Sequence, residues 1–290
     1  MVLWGAACPA TEAAAFRDAL GRTVVLPETP QRIVSLAPHL TEILFAIGAG
    51  PRVVGVTAYC DYPEEARALP RIGGFSDPSA ERVLAVRPDL VLATTVGNRR
   101  EAVERLVRLG IPVFVTRVQR VLDVPRQIRL VGRLVGRREA ADRVAAALAR
   151  RLERVIRRVQ GRRPVRVYYQ VWDKPLITVS RGSFVDDAIR LAGGVNVFAG
   201  LDQRHPRVSR EAVVAARPEV MVLSGMGQED ARLKREWLRF TAIPAVAHQR
   251  VYVMDSDFLH RPGPRIVEGV ERLARWFHPE AFRDGESESP

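Results

Sequence analysis

One fourteen-residue stretch of this chain occurs twice. Ser79–Leu92, read SAERVLAVRPDLVL, aligns with Ser209–Val222, read SREAVVAARPEVMV, at an offset of 130 with six identities. Each copy reads as a capping serine, a helix, an Arg-Pro-acid stop and an apolar strand. Upstream, Ile47-Gly-Ala-Gly50 resembles Leu191-Ala-Gly-Gly194 in the same relative place. Between the copies lies one long helical pattern, Arg137–Gln160, with Ala141, Val144, Leu148, Leu152, Val155 and Val159 spaced by three or four. About 23 helical residues make a rod of roughly 35 Å. Duplication around a rod restricts the fold to α/β with two similar α/β lobes joined by one long α-helix, and a ligand cleft between the lobes is expected.

The remaining pattern alternates strand and helix, as a parallel sheet covered by helices requires. A short strand pair is expected within Phe16–Pro30, its first member Arg17–Arg22 and its second Thr23–Leu26. Strands follow at Arg32–Leu36, closed by Pro38, and at Val53–Val56, Leu90–Ala93 and Pro112–Val115. Helices are expected after Thr41 as cap, after Ser79, and over Glu101–Leu109. The alternation breaks at a helix over Arg126–Val135 and at the rod, and resumes with a strand at Val165–Gln170. Helices capped by Ser183 and Ser209, strands Val220–Leu223 and Val251–Met254, and a helix over Pro264–Phe277 complete the second half. The expected divisions are a leader (1–15), an N-terminal α/β lobe (16–121), a helical region with the linking helix (122–163), a C-terminal α/β lobe (164–282) and a disordered tail (283–290).

Charge excludes several chemistries. Of 45 basic residues only Lys174 and Lys234 are lysines, against 33 acids and a net charge of +12. Neither lysine stands in a phosphate-binding Gly-Lys-Ser/Thr loop, and neither lies in an apolar run that would activate it as a nucleophile. The arginines recur at helical spacing, as in Arg150, Arg151, Arg154, Arg157 and Arg158, with acids among them and no interleaved aromatics. That is a solvated helix face and not a nucleic-acid groove, although weak attraction to an anionic membrane surface fits it. No run of about 18 apolar residues occurs, so no membrane-crossing helix is expected.

The five histidines, His39, His205, His248, His260 and His278, are scattered, with no HExxH and no ligand-spaced pair, so no catalytic metal is expected. There is no Gly-x-Ser-x-Gly elbow. Gly48-Ala-Gly50 follows a helix and reads as its stop, not as a dinucleotide loop. Cys8 and Cys60 form no CxxC or zinc spacing. The apolar and small residues before Cys8 read either as the tail of a lipoprotein signal, making Cys8 a lipid anchor, or as a mis-set start; both leave Pro9–Ala15 as a flexible leader.

Four segments carry a family resemblance: Asp18-Ala-Leu-Gly-Arg-Thr-Val-Val-Leu-Pro27, Arg32-Ile-Val-Ser-Leu-Ala-Pro-His-Leu-Thr-Glu-Ile-Leu44, Val54-Gly-Val-Thr-Ala-Tyr-Cys-Asp-Tyr-Pro63 and Val208-Ser-Arg-Glu-Ala-Val213. Over residues 17–277 the chain resembles the substrate-binding proteins of ABC importers whose lobes are joined by a single helix. The segment around Tyr59, Asp61, Tyr62 and Pro63, with Tyr169-Gln170-Val-Trp172 and Ser256-Asp257-Phe-Leu-His-Arg261-Pro-Gly-Pro-Arg265, is more particular to the cobalamin binders among them.

The resemblance implies an extracytoplasmic, monomeric binding protein, not an enzyme, that captures a corrinoid (cobalamin) and delivers it to an ABC permease dimer. It implies a ligand site built from Tyr59, Phe75, Thr94 and Asn98 on one lobe and Trp172, Asp257, Phe258 and Arg261 on the other. A flat corrinoid needs aromatic walls, and its amide fringe needs hydrogen-bonding groups. Some relatives carry tryptophan at the positions of Phe75 and near Thr94. Glu81 and Glu211 are implied to dock on permease arginines, a matched pair suiting a symmetric partner; as first-turn acids they also suit their helix dipoles. Haem or an iron siderophore is the alternative ligand, with His260 inside the proposed ligand loop. An α/β enzyme with an interlobe site is the third reading.

Overall fold

A computed structural model describes residues 14–225 and 230–285. Cys8, most of the expected leader and the last five residues lie outside that range. The chain divides into two compact units. One ends at Arg117 and resumes over Gln127–Val144; the other takes Val118–Arg126 and the chain from Ala145 onward. The helical region read as separate is therefore divided between the units.

The first unit opens on an antiparallel ribbon of β1 (Ala14–Arg17) and β2 (Thr23–Leu26). Residues 18–22, expected in a strand, form its turn instead. Asp18 Oδ1 accepts from the amides of Leu20 and Arg22, both at 2.9 Å, and Gly21 takes φ 77°. A short side chain that bonds backbone two residues on closes a turn more readily than it extends a strand. The ribbon starts two residues inside the expected leader. Then come β3 (Ile33–Ser35), α1 (Pro38–Ala46), β4 (Val53–Val56), α2 (Ala80–Ala85), β5 (Leu90–Thr94), α3 (Arg100–Arg108) and β6 (Val113–Thr116). The strands form a parallel sheet in the order β4-β3-β5-β6. Pro38, expected to close a strand, begins α1 at its first position, where its missing N–H costs nothing. Thr41 is consequently inside the helix and not its cap.

Helix α4 (Val124–Leu134) and the 22-residue α5 (Arg138–Val159) follow, and α5 begins in the first unit and continues in the second. In the second unit lie β7 (Val165–Trp172), β8 (Ile177–Thr178), α6 (Phe184–Leu191), β9 (Gly194–Asn196), α7 (Arg210–Ala216), β10 (Val220–Gly225), α8 (Asp230–Trp237), α9 (Pro244–Ala247), β11 (Val251–Asp255), α10 (Asp257–His260) and α11 (Ile266–Phe277). β11, β10, β7 and β9 pair in parallel, while β8 pairs antiparallel with the end of β7. Arg283–Gly285, expected to be disordered, sit in a closing 3-10 turn, Pro279–Gly285.

The parallel strands of the two units have the same order, β4-β3-β5-β6 and β9-β7-β10-β11. The repeat supplies the same parts to both. Val83, Val91 and Ala93 are buried in one core, and Val213, Met221 and Leu223, each 130 residues later, are buried in the other. Alternate strand residues point to one face, so the period of two selects this set. The Arg-Pro-acid signature is a clamp. Arg87 and Arg217 stop their helices at φ 43° and 47°. Asp89 Oδ1 then accepts from the Arg32 amide at 2.9 Å, and Glu219 Oε2 from the Arg166 amide at 2.9 Å. In return the Arg32 guanidinium donates to the Val86 carbonyl and that of Arg166 to the Ala216 carbonyl, both at 2.7 Å. Each clamp ties a helix C-terminus to the start of the neighbouring strand and satisfies otherwise orphaned carbonyls.

Candidate ligand-binding site

In an open parallel sheet the loops at the carboxyl ends of the strands diverge where the strand order reverses, leaving a crevice. Here that point falls between β3 and β5 in one unit and between β7 and β10 in the other. Most of the expected ligand residues follow such strand ends: Tyr59 after β4, Thr94 and Asn98 at β5, Trp172 at β7, and Asp257, Phe258 and Arg261 after β11.

In the first unit the crevice is filled. Asn98 Nδ2 donates to the carbonyls of Leu36 at 3.0 Å and Phe75 at 2.6 Å, and its Oδ1 accepts from the Thr94 amide at 2.8 Å. Thr94 is buried, and its hydroxyl accepts from the Val96 amide at 3.3 Å. Asn98 is thus a strut joining three loops, and Thr94 lies beneath the surface. Gly97 adopts φ 100°, and a Cβ there would stand 1.9 Å from the Phe75 ring, so glycine lets the ring lie on the loop. The structure brings Phe75 and Tyr59 together along a concavity of about 420 Å³ that Gly74, Ser76 and Asp77 complete. Tyr59 is 61% exposed. The next residue, Cys60, is buried, free, and 3.1 Å from the Thr57 hydroxyl.

In the second unit the crevice is open. A cavity of about 590 Å³ runs along Gln170–Lys174, with Ser224 of β10 and with Arg232 and Leu233 of α8 opposite. Trp172 is on its wall, 46% exposed, its indole N–H donating to the Lys174 carbonyl at 3.0 Å. Gln170 accepts from the Trp237 indole at 2.6 Å, and Asp173 pairs with Arg232 at 3.1 Å. Sequence reasoning missed Asp173, Lys174, Ser224, Arg232 and Leu233 as site residues. The one available signal was the Asp-Lys-Pro turn after the strand, since α8 was not recognised as a helix.

Asp257, Phe258 and Arg261 do not line that cavity. They form a separate cluster on and just after α10, which packs closely on α11 because Gly269 has no side chain; a Cβ there would stand 2.7 Å from the Phe258 carbonyl oxygen. Asp257 is held by Arg261 at 2.8 Å and Arg265 at 3.2 Å. Burial pushes its carboxyl up, against the pull of both guanidinium groups. The guanidinium carbons of Arg272 and Arg265 lie 4.2 and 5.6 Å from the Phe258 ring centroid, as cation–π partners. His260 is exposed as a residue. Its Nε2 lies 3.0 Å from the hydroxyl of fully buried Tyr169; loss of water around the ring, with repulsion from His205, pulls the imidazole down to about 4. Among the described residues no three of His, Cys, Asp and Glu converge as a metal-holding group, and no helix is long and apolar enough to cross a membrane.

Glu81 and Glu211 occupy matching places, each two residues past a capping serine and exposed. Ser79 accepts from the Arg82 amide at 3.3 Å and Ser209 from the Ala212 amide at 3.1 Å. Bonds to its own backbone and to Ser209 hold the Glu211 carboxyl below the usual range.

Three likenesses to known proteins match this architecture. The vitamin B12-binding protein of Vibrio cholerae is 30% identical over 250 residues, 86% of this chain and 90% of the relative. The crystal structure of the periplasmic vitamin B12-binding protein BtuF of Vibrio cholerae superposes with a TM-score of 0.79, covering 88% of this chain and 99% of that one. The periplasmic haem-binding protein RhuT of Roseiflexus sp. RS-1, in apo form, is 29% identical with a TM-score of 0.78, covering 87% and 99%. The periplasmic binding protein model itself matches residues 33–258. With the family model matching residues 33–258 and a 30% identical relative covering 86% of the chain, the chain belongs to the periplasmic binding protein family, the solute-binding proteins of ABC transporters.

Proposed function

We propose that this protein captures a corrinoid, cobalamin, and delivers it to the permease dimer of an ABC importer. The observation that carries the reading is the pair of solvent-open aromatics, Tyr59 and Trp172, each at a carboxyl strand end and each beside a concavity. Exposed aromatic faces with hydrogen-bonding groups around them suit a flat macrocycle with an amide fringe. Tyr59, Phe75 and Trp172 are the contact residues in this reading. Asp257, Phe258 and Arg261 offer a second, charged contact, and Asn98 and Thr94 act by holding the Phe75 loop. The curated vitamin B12-binding relative supports the ligand class. The chain acts as a monomer and binds without catalysing a reaction; ATP is consumed by the partner. Glu81 and Glu211 dock on the permease, and Cys8 is the lipid tether.

Haem is the second reading. It is favoured by the likeness to a haem-binding protein; for His260 to ligate iron through Nε2, the ring would first have to release its 3.0 Å contact with the Tyr169 hydroxyl. Equilibrium dialysis against cyanocobalamin and haemin side by side decides between them. Retention of cyanocobalamin is expected; tight haemin retention without cyanocobalamin would overturn the corrinoid reading. For docking, the double variant Glu81→Arg with Glu211→Arg should abolish uptake while ligand binding persists, and undiminished uptake would refute the role. For the tether, Cys8→Ala should release the protein from the membrane fraction; unchanged fractionation would exclude it.

A further inference from the structure

Beside the open crevice of the second unit lies another concavity, of about 470 Å³, and its lining is strongly basic. Lys174, Arg210, Arg232, Arg235 and Arg239 surround it with a single acid, Glu236. Glu236 is engaged by Arg210 at 2.9 Å and by Arg232 at 2.5 Å, and Arg232 also reaches Asp173 at 3.1 Å. Lys174, Arg235 and Arg239 have no ion-pair partner among the described residues. Three unpaired cations gathered on a concave surface repel one another and raise the local concentration of anions. Lys174 and Arg232 line both this concavity and the cavity that carries Trp172. An anionic arm on a molecule seated against Trp172 therefore meets these cations without leaving its ring site.

We propose that this basic concavity binds the anionic arm of the macrocyclic ligand. For a corrinoid that arm is the phosphodiester of the nucleotide loop; for haem it is the propionates. The inference rests on the macrocycle reading above. It assigns selectivity for arm-bearing ligands to residues outside the aromatic contacts. Guanidinium groups suit both anions, since they donate paired N–H groups to phosphate or carboxylate oxygens.

The test compares cobalamin with cobinamide, which has the corrin ring but lacks the nucleotide loop, on the full chain and on the double variant Arg235→Gln with Arg239→Gln. Both arginines are exposed and lie away from the Trp172 wall, so the fold and ring contacts stay intact. Wild type should bind cobalamin more tightly than cobinamide. The variant should weaken cobalamin by about tenfold or more, as loss of charge-assisted bonds to one anion does, and leave cobinamide unchanged. Equal weakening of cobalamin and cobinamide, or no weakening of cobalamin or haemin, overturns the anionic-arm site. So does a variant with normal binding and lost uptake, which would assign the patch to the permease. A second arm uses haemin and its dimethyl ester. Loss of haemin binding alone in the variant would support the site while replacing the corrinoid reading. Retention of none of the four ligands by wild type would instead overturn the functional reading itself, and this inference with it.

Discussion

Replacing Asn98 separates a strut from a ligand contact. Its side chain makes three bonds to backbone, at 2.6, 2.8 and 3.0 Å. At about 1 kcal/mol each the ceiling for Asn98→Ala is about 3 kcal/mol. Because the residue is half-buried, water re-solvates part of what is lost, and about 1.5–2.5 kcal/mol is expected. For units of this size that lowers the melting temperature by about 4–8 °C. Asn98→Asp is the control. It keeps the acceptor for the Thr94 amide but turns a carboxylate oxygen toward the Leu36 and Phe75 carbonyls, so it should destabilise at least as much as alanine. The assay is urea unfolding of the ligand-free protein, followed by cobalamin titration of the folded variants. An aspartate variant as stable as wild type would refute the strut. An alanine variant with an unchanged unfolding midpoint and a lower affinity would return Asn98 to the set of ligand contacts.

Three further outcomes follow from the same geometry. Trp172 is 46% exposed; for a side chain of up to ~250 Å², ligand burial of that face gives about 3 kcal/mol at most. Trp172→Ala and Tyr59→Ala should each weaken cobalamin binding roughly 10- to 100-fold in dialysis, without moving the melting temperature. Asp89→Ala removes the acceptor for the Gln31 amide at 2.7 Å and the Arg32 amide at 2.9 Å. It should cost about 1–2 kcal/mol in urea unfolding, and Glu219→Ala a similar amount if the two clamps are equivalent. The His260 imidazole is lowered in the folded chain, so the unfolded chain binds the proton first. Its contribution is complete above the ordinary histidine value, ~6.5, and fades as pH falls toward about 4. An NMR titration of the His260 ring with a midpoint at or above the ordinary value would contradict that environment.

The alternation of elements and the duplication were legible because both rest on local rules. Ser79, Ser183 and Ser209 cap their helices as their spacing indicates, and the 3.6-residue period marks α5 clearly. The short helices α8, α9 and α10 were not legible. Two of them have only four residues, too few for a period to repeat, and α8 carries mostly charged side chains. Pro38 was misread because proline ends a strand and begins a helix with the same fixed φ.

The site divided along the same line. Tyr59 and Trp172 were named through the segments that carry the family resemblance, and each stands at or just after the carboxyl end of a strand. That Asn98 would hold backbone, that the Phe258 ring would be flanked by Arg265 and Arg272, and that Lys174 would stand with Arg235 and Arg239 could not be read from any segment. Each depends on residues up to dozens of positions apart, brought into reach only when the strands pair and the helices pack. Linear order carries the local propensities and the repeated unit. Partner choice for a polar side chain is fixed by distance in three dimensions, and that quantity exists only in the folded chain.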